Sequence, residues 1–306
     1  MANNPALSAV ICTHNRHKSV SATINSVLAQ DIDRQDFEII VVDNSTDAGQ
    51  ARQFGGQYDG IENFRYVHEP VPGLSNARNV GAHLALAPIV AYLDDDAVAP
   101  PQWLRELSLG YQKFGDRAAI VGGPVEPVWV TPRPNWLTSD LEGFFSIVDH
   151  GGEIRELLPH EWLAGCNYSI RRDWLFAAGG FSTELGRKGA LSLLSNEETL
   201  VSESVRARGG KVVYVPAASV KHYIDPSRTS ADWLKRRMAW QAVSDVLSRP
   251  QESLRRAEIA SYRFRRYSRL GRAIFFANLL RRRENITSID LDRIYHAILI
   301  LLCRGS

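Results

Sequence analysis

The sequence predicts an α/β protein: a Rossmann-like, mostly parallel sheet with helices on both faces, followed by a C-terminal helical region. Three observations carry that prediction. Short, continuous apolar runs alternate with helix-patterned segments from the N-terminus onward, which is how strands buried on both faces of a parallel sheet read. Several of these runs end in polar or acidic residues, at the edge where open α/β sheets place ligands. Basic residues gather at the end: residues 231–306 hold 16 Lys and Arg against 7 Asp and Glu, net +9, and the remainder is net −7. An acidic body with a basic tail points to two tasks.

The elements follow in order. Leu7–Thr13 is a first strand, rich in β-formers and interrupted by His14-Asn15-Arg16. Residues 20–30 have helical spacing, with Val20, Ile24, Val27 and Leu28 on one side. Phe37–Asp43 is a second strand and Phe64–His68 a third. Residues 74–87 read as a helix with an alanine-rich packing face. Residues 88–93 form a fourth strand that runs straight into Asp94-Asp95-Asp96. Pro100-Pro101 opens a helix over 102–114. The pattern then changes. Residues 118–130 are strand-like around Gly122-Gly123-Pro124, residues 131–134 are proline-rich, and Trp129, Trp136 and Trp162 lie near loops. Residues 174–178 are helical up to Gly179-Gly180. Residues 197–208 form a helix stopped by Gly209-Gly210, and 211–215 and 219–223 are strands. From Ala231 onward the pattern is helical and arginine-rich. The shift of composition and charge near 226–229 divides the chain into 1–228, itself split into 1–117 and 118–228, and a basic region 229–306.

Composition excludes several classes. With 306 residues, 44% hydrophobic and 23% charged, the chain can bury a sizeable core and is not a disordered, collagenous or disulfide-stapled protein. Cys12, Cys166 and Cys303 have neither metal-type spacing nor a disulfide framework, so a reducing, cytoplasmic setting is expected. The N-terminus lacks a signal-peptide pattern. The apolar runs 273–280 and 297–303 are too short to span a membrane.

The chemistry concentrates at the strand ends. Three adjacent carboxylates repel one another and need a counter-charge. At the carboxyl end of a parallel strand, Asp94, Asp95 and Asp96 suit a divalent cation held together with a phosphate; elsewhere such a triplet is a solvated loop and helix cap. Asp43 ends the second strand at the same edge, either capping the next turn or accepting hydrogen bonds from a nucleotide. Thr13 and Arg16 end the first. Gly73-Leu74-Ser75-Asn76-Ala77-Arg78-Asn79 opens a helix whose N–H groups and Arg78 suit an anionic group.

Together, Val10-Ile11-Cys12-Thr13-His14-Asn15-Arg16, Val41-Val42-Asp43-Asn44-Ser45, the Gly73–Asn79 segment and Tyr92-Leu93-Asp94-Asp95-Asp96 resemble the inverting family 2 glycosyltransferases of GT-A fold, in order and spacing over roughly residues 7–225. The resemblance implies a GT-A catalytic domain over 1–228, with a nucleotide-binding half 1–117 and an acceptor half 118–228. It places Thr13, Arg16, Asp43, Arg78, Asp94 and Asp95 at the donor. Asp96, Asp94 and His222 fall at a Mn²⁺ or Mg²⁺ ion, Asp96 being the direct ligand. Residues 162–172 resemble the stretch that closes on the donor sugar, which puts Trp162, Gly165 and Asn167 on the acceptor side. Gly179-Gly180-Phe181 matches a family turn, with Ser182 where aspartate is usual. Asn196-Glu197-Glu198-Thr199 stands where the family has Gly-Glu-Asp; counting back from Gly209 puts Glu198 at the general base, with Glu197 next in line. The same two residues also suit a helix N-terminus.

The implied activity is transfer of a sugar from a nucleotide-sugar, a UDP-sugar by family habit, to a hydroxyl of a glycan or lipid-linked glycan. Three rivals stand beside it. A sugar-nucleotide nucleotidyltransferase needs a glycine-rich loop after the first strand, and residues 13–19 contain no glycine. A scaffold that binds but does not catalyse sits poorly with the intact acidic triplet. A dehydrogenase of Rossmann type lacks its G-x-G-x-x-G. The tail, with Arg236, Arg237, Arg255, Arg256, Arg263, Arg265, Arg266, Arg269, Arg272 and Arg281 to Arg283 among Tyr262, Phe264, Tyr267, Phe275 and Phe276, reads as a solvated helical face, or as a surface lying on the inner, anionic face of a membrane. No nucleic-acid motif accompanies it.

Overall fold

The computed structural model describes residues 4–189, 192–265 and 286–303. Eight strands form the main sheet, in the order β3-β2-β1-β4-β9-β6-β10-β8. They are β1 (Leu7–Thr13), β2 (Phe37–Asp43), β3 (Phe64–His68), β4 (Ile89–Asp94), β6 (Ala118–Gly122), β8 (Arg155–Glu156), β9 (Asn167–Arg171) and β10 (Lys211–Tyr214). β3, β2, β1 and β4 run parallel, as do β6 and β10. β9 is antiparallel to both of its neighbours. A second sheet, β5-β11-β7, joins β5 (Ala97–Val98), β11 (Val220–Ile224) and β7 (Val125–Trp129).

The continuous apolar runs have a simple cause. Ala9, Ile11, Ile39 and Val41 face one core with Val20, Ile24 and Val27 of α1 (His17–Leu28) and Trp103, Leu104 and Leu107 of α4 (Trp103–Phe114). Val10, Cys12, Ile40 and Val42 face the other, with Ala77 and Ala82 of α3 (Leu74–Leu84), Leu175 of α5 (Arg172–Ala177), and Val201 and Val205 of α6 (Glu197–Ala207). Alternate residues of one strand thus enter opposite cores, and no position is left for a polar side. Helix α3 lies close on the sheet: a Cβ at Gly81 would stand 2.4 Å from Cγ1 of Val10.

Two segments differ from the sequence expectation. Residues 167–171, given no element from sequence and only likened to the stretch that closes on the donor sugar, form β9 in the middle of the sheet. Asn167 and Ser169 disguise this strand as polar, yet both are fully buried and internally bonded; Ser169 Oγ donates to the Val121 carbonyl at 2.6 Å. The helix α2 (Ala48–Gly55), to which no element was assigned from sequence, is eight residues long and buries Ala51, Phe54 and Gly55. It is started by the side chain of Asp47, which accepts from the N–H groups of Gly49 and Gln50.

The chain divides into two compact units. The first comprises Met1–Val128, Ser146–Thr183 and Glu197–Tyr223 and holds both cores. The second comprises Trp129–Phe145, Glu184–Asn196 and Ile224–Ser306. Among the described residues its α-helices are α7 (Ala231–Ser248), α8 (Pro250–Arg265) and α9 (Ser288–Cys303). Ser230 caps α7 by accepting from the Trp233 N–H. The buried Asp245 of α7 accepts from Asn196 Nδ2 at 2.8 Å, Gln241 Nε2 at 2.9 Å and the Tyr295 hydroxyl at 2.6 Å, so one carboxylate ties α7 to α9. Phe145 packs against Trp129 and Trp233. Arg266, Tyr267, Arg269, Arg272, Phe275, Phe276 and Arg281 to Arg283, with the apolar run 273–280, lie outside the described residues.

Candidate active site

Parallel register brings three strand ends level. Thr13 pairs with Asp43 across β1 and β2, and Cys12 with Asp94 across β1 and β4. The acidic triplet therefore emerges beside the end of β1. Thr13 Oγ1 donates to Asp95 Oδ2 at 2.8 Å, and Arg16 Nη1 reaches Asp95 Oδ1 at 2.6 Å and Asp96 Oδ2 at 3.0 Å. Burial and the adjacent Asp96 raise the Asp95 carboxyl above the ordinary carboxylate range, against the pull of Arg16 and Thr13.

Immediately after the triplet the chain forms β5, which pairs antiparallel with β11 and sets Ala97 opposite His222. The Tyr223 N–H donates to the Asp96 carbonyl at 2.8 Å. This pairing delivers the buried His222 to Asp96, with Nε2 3.3 Å from Oδ1. Among the described residues no group of three or more His, Cys, Asp or Glu is gathered as a metal cage. One carboxylate and one imidazole nonetheless fit a divalent cation that takes its remaining oxygen ligands from a substrate phosphate. Asp94, expected at the same ion, places Oδ1 3.1 Å from Arg78 Nη2.

Arg78 is the hub of the site. It projects from α3, is only 2% exposed, and meets three carboxylates. Nη1 donates to Glu198 Oε1 at 2.8 Å and Glu197 Oε1 at 3.1 Å, and Nη2 to Asp94 Oδ1 at 3.1 Å. The rings of Phe181 and Tyr92 lie 5.6 Å and 5.9 Å from the guanidinium carbon, a favourable setting for a desolvated cation. Both glutamates open α6, where acidic side chains also favour the helix dipole. Burial, then the neighbouring Glu198, push the Glu197 carboxyl well up, and Arg78 opposes them. Gly165 makes room for this cluster. A Cβ there would stand 1.7 Å from Glu198 Oε1 and 2.6 Å from Arg78 Nη2.

Asp43 sits at the next strand end, fully buried. It accepts from the Ser45 N–H at 2.8 Å, from His17 Nε2 at 2.8 Å and from the Tyr66 hydroxyl. Burial opposes its charge, but these hydrogen bonds hold its carboxyl below the ordinary range. The His17 ring stacks on Phe54 at 4.6 Å between centroids.

The structure thus gathers Thr13, Arg16, Asp95, Asp96 and His222 into one connected network, and Arg78, Asp94, Glu197, Glu198 and Gly165 into another; the two meet at the peptide bond between Asp94 and Asp95. Asn167 stands apart in the core. Its Oδ1 accepts from Trp103 Nε1 at 2.9 Å, and its Nδ2 donates to the carbonyls of Pro124 and Ala218 at 3.0 Å and 2.7 Å. Trp162 is 40% exposed, and its carbonyl contacts His150 Nε2 at 2.9 Å. The sequence reading passed over His17, Tyr66 and Phe181 as site residues. Their signal was positional: His17 follows the end of β1, and Tyr66 lies on β3 beside Val41 of β2.

Residues 8–175 match the family model described as Glycosyl transferase family 2. The chain is 32% identical over 241 residues to the glucosyl-dolichyl phosphate glucuronosyltransferase of Haloferax volcanii, covering 78% of this chain and 75% of that protein. It is 27% identical over 259 residues to the succinoglycan biosynthesis protein ExoM of Rhizobium meliloti, covering 81% and 77%. Among solved structures, that of GalNAc-T7 with UDP, GalNAc and Mn²⁺ aligns with a TM-score of 0.57 at 19% identity, over 80% of this chain and 51% of that one. At that identity the likeness is one of fold.

Proposed function

The chain belongs to glycosyl transferase family 2 and is an inverting glycosyltransferase of GT-A fold; from that premise we propose that it moves a sugar from a UDP-sugar to a hydroxyl of a glycan or lipid-linked glycan. The observation that supports this reading best is Arg78, which holds Glu198 and Asp94 on one guanidinium and so sets a proton acceptor beside the donor edge. In the proposed reaction the acceptor hydroxyl gives its proton to Glu198. The hydroxyl oxygen bonds to the anomeric carbon, the bond from that carbon to the diphosphate breaks, and its electron pair leaves with the diphosphate. One such displacement inverts the anomeric centre.

Asp43, kept ionised by its three donors, suits the uracil imide N–H. Thr13 and Arg16 hold Asp95, and Arg16, with a side chain 40% exposed, can reach the diphosphate. Asp96 and His222 would hold Mn²⁺ or Mg²⁺; the bound ion neutralises charge growing on the leaving group. UDP and Mn²⁺ accompany the fold in GalNAc-T7, and the Haloferax relative bears a name with a dolichyl-phosphate acceptor. The basic tail would keep the enzyme near membrane-bound substrate; no helix among the described residues is long and apolar enough to cross a membrane.

The test is a panel of nucleotide-sugars scored by thermal shift with Mn²⁺, then transfer to polyprenyl-phosphate-linked sugars, with Glu198→Gln as control. A UDP-sugar should shift the transition and yield an inverted product, and Glu198→Gln should keep the shift while turning over about 10²–10⁴-fold more slowly. Equal turnover by Glu198→Gln, or no shift with any nucleotide-sugar, would overturn the reading.

A further inference from the structure

Three carboxylates surround one buried guanidinium, and they are not equivalent. Glu198 keeps part of its side chain in solvent, 18% exposed, and makes the shortest of the three contacts, 2.8 Å. Asp94 is more exposed still. Glu197 is 3% exposed, and among the described residues its Oε2 is a buried atom with no hydrogen-bond partner. Its Oε1 meets Arg78 Nη1 at 3.1 Å, and its own backbone N–H also favours the charged form, though less than burial opposes it. An ionised carboxylate with one bare oxygen in such a place is costly. A neutral acid with its proton on that oxygen is far less so.

We propose that Glu197 is a positioning residue that works as a neutral carboxylic acid: it keeps its proton at neutral pH and steers Arg78, so that Glu198 is left as the ionised partner. The proposal rests on the reading of Glu198 as the base. The geometry supplies the reason for two adjacent glutamates. Nη1 has two N–H bonds, one directed at each glutamate. Without the Glu197 carbonyl oxygen, one of these hydrogens would lose its acceptor, and the guanidinium would turn further toward Glu198. With an ionised Glu197, two full charges would compete for one nitrogen. A neutral acid fixes the direction of the guanidinium without competing for its charge. The groups facing Glu197 are Arg78 from α3, Glu198 from its own helix and Asp94 at the end of β4, and burial and the two carboxylates all favour the protonated form.

The test separates shape from charge. Glutamine has the shape of a neutral glutamic acid, and alanine lacks it. E197A should lose roughly 10- to 100-fold in kcat through misplacement of Arg78 and Glu198, with donor KM little changed, and E197Q should recover at least tenfold of that loss. In infrared difference spectra at neutral pH, parent minus E197Q should show the carbonyl band of a protonated carboxyl and E198Q should keep that band; Asp95, whose carboxyl is also raised, contributes equally to every spectrum and cancels. If E198Q and E197Q are both crippled, Glu198 stands as the base and the neutral-acid role fails. If E197Q alone is crippled, the assignment of the base itself fails. A fully active E197A, or a difference spectrum without the carboxyl band, also overturns the proposal.

Discussion

Asn79 and Phe181 are joined by two hydrogen bonds: Asn79 Nδ2 donates to the Phe181 carbonyl at 2.8 Å, and the Phe181 N–H donates to Asn79 Oδ1 at 2.9 Å. A side-chain amide thus takes the place of a neighbouring strand and fixes the backbone that presents the Phe181 ring to Arg78. Asn79→Ala should leave two backbone groups unmatched, each at a cost of about 1–3 kcal/mol. Asn79→Asp should keep the acceptor and lose the donor. The expected order of melting temperature is parent, then aspartate, then alanine, and differential scanning calorimetry checks it.

Gly165→Ala places a methyl group where Glu198 Oε1 now stands, 1.7 Å from its ideal position. Glu198 must move, and the misplacement should lower kcat about 10²-fold. UDP affinity, proposed to be set by Asp43, Arg16 and Asp96 at the strand ends, should change little. Single-turnover kinetics and calorimetric titration with UDP would separate the two effects.

Asp96→Ala should abolish Mn²⁺-dependent UDP binding and leave the melting temperature in the absence of metal near that of the parent. His222→Ala should raise the Mn²⁺ concentration needed for half-maximal turnover roughly 10- to 100-fold, in line with the loss of one of two side-chain ligands. Metal titrations of both variants test this. Unchanged Mn²⁺ dependence in Asp96→Ala would remove the ion from this pair.

Asn167→Ala tests a different role. The amide satisfies the Trp103 indole N–H and two backbone carbonyls inside the first unit. Its loss should destabilise the fold by about 2–4 kcal/mol, visible as a lower midpoint in urea unfolding. An acceptor contact would instead raise acceptor KM at unchanged stability.

The basic tail should bind anionic vesicles and release them as salt rises, since each basic residue near the surface contributes about 1 kcal/mol, screened beyond a Debye length. Sedimentation with anionic and neutral vesicles at two salt concentrations measures this. Equal recovery in every supernatant would leave the tail as a packing element.

Much of this site is legible in the sequence because its parts sit at strand ends, and strands buried on both faces announce themselves as unbroken apolar runs. β1 and β2 ended where expected and β4 one residue later, at Asp94, so Thr13, Asp43 and Asp94 fell on one edge. Less legible were features made by contacts across long stretches of chain. β9 is hidden because Asn167 and Ser169 are polar yet satisfied inside the sheet. The three-way grip of Arg78 could not be read either. Its position in the Gly73–Asn79 segment suggested an anion at the donor, whereas its partners are three carboxylates of the protein itself. His17 carried no pattern beyond its place after β1, and its contact with Asp43 depends on how α1 begins.

Arg78 and Glu198 stand 120 positions apart in the chain, and this has a consequence for synthesis on the ribosome. β1, β2, α3 and β4 emerge first and could pair among themselves. Arg78 would then have Asp94 but neither glutamate, and a buried guanidinium short of partners is expensive. Helix α3 therefore has reason to stay loosely seated until α6 is made. Synthesis of α6 then removes a desolvation cost from the edge that would bind a nucleotide-sugar.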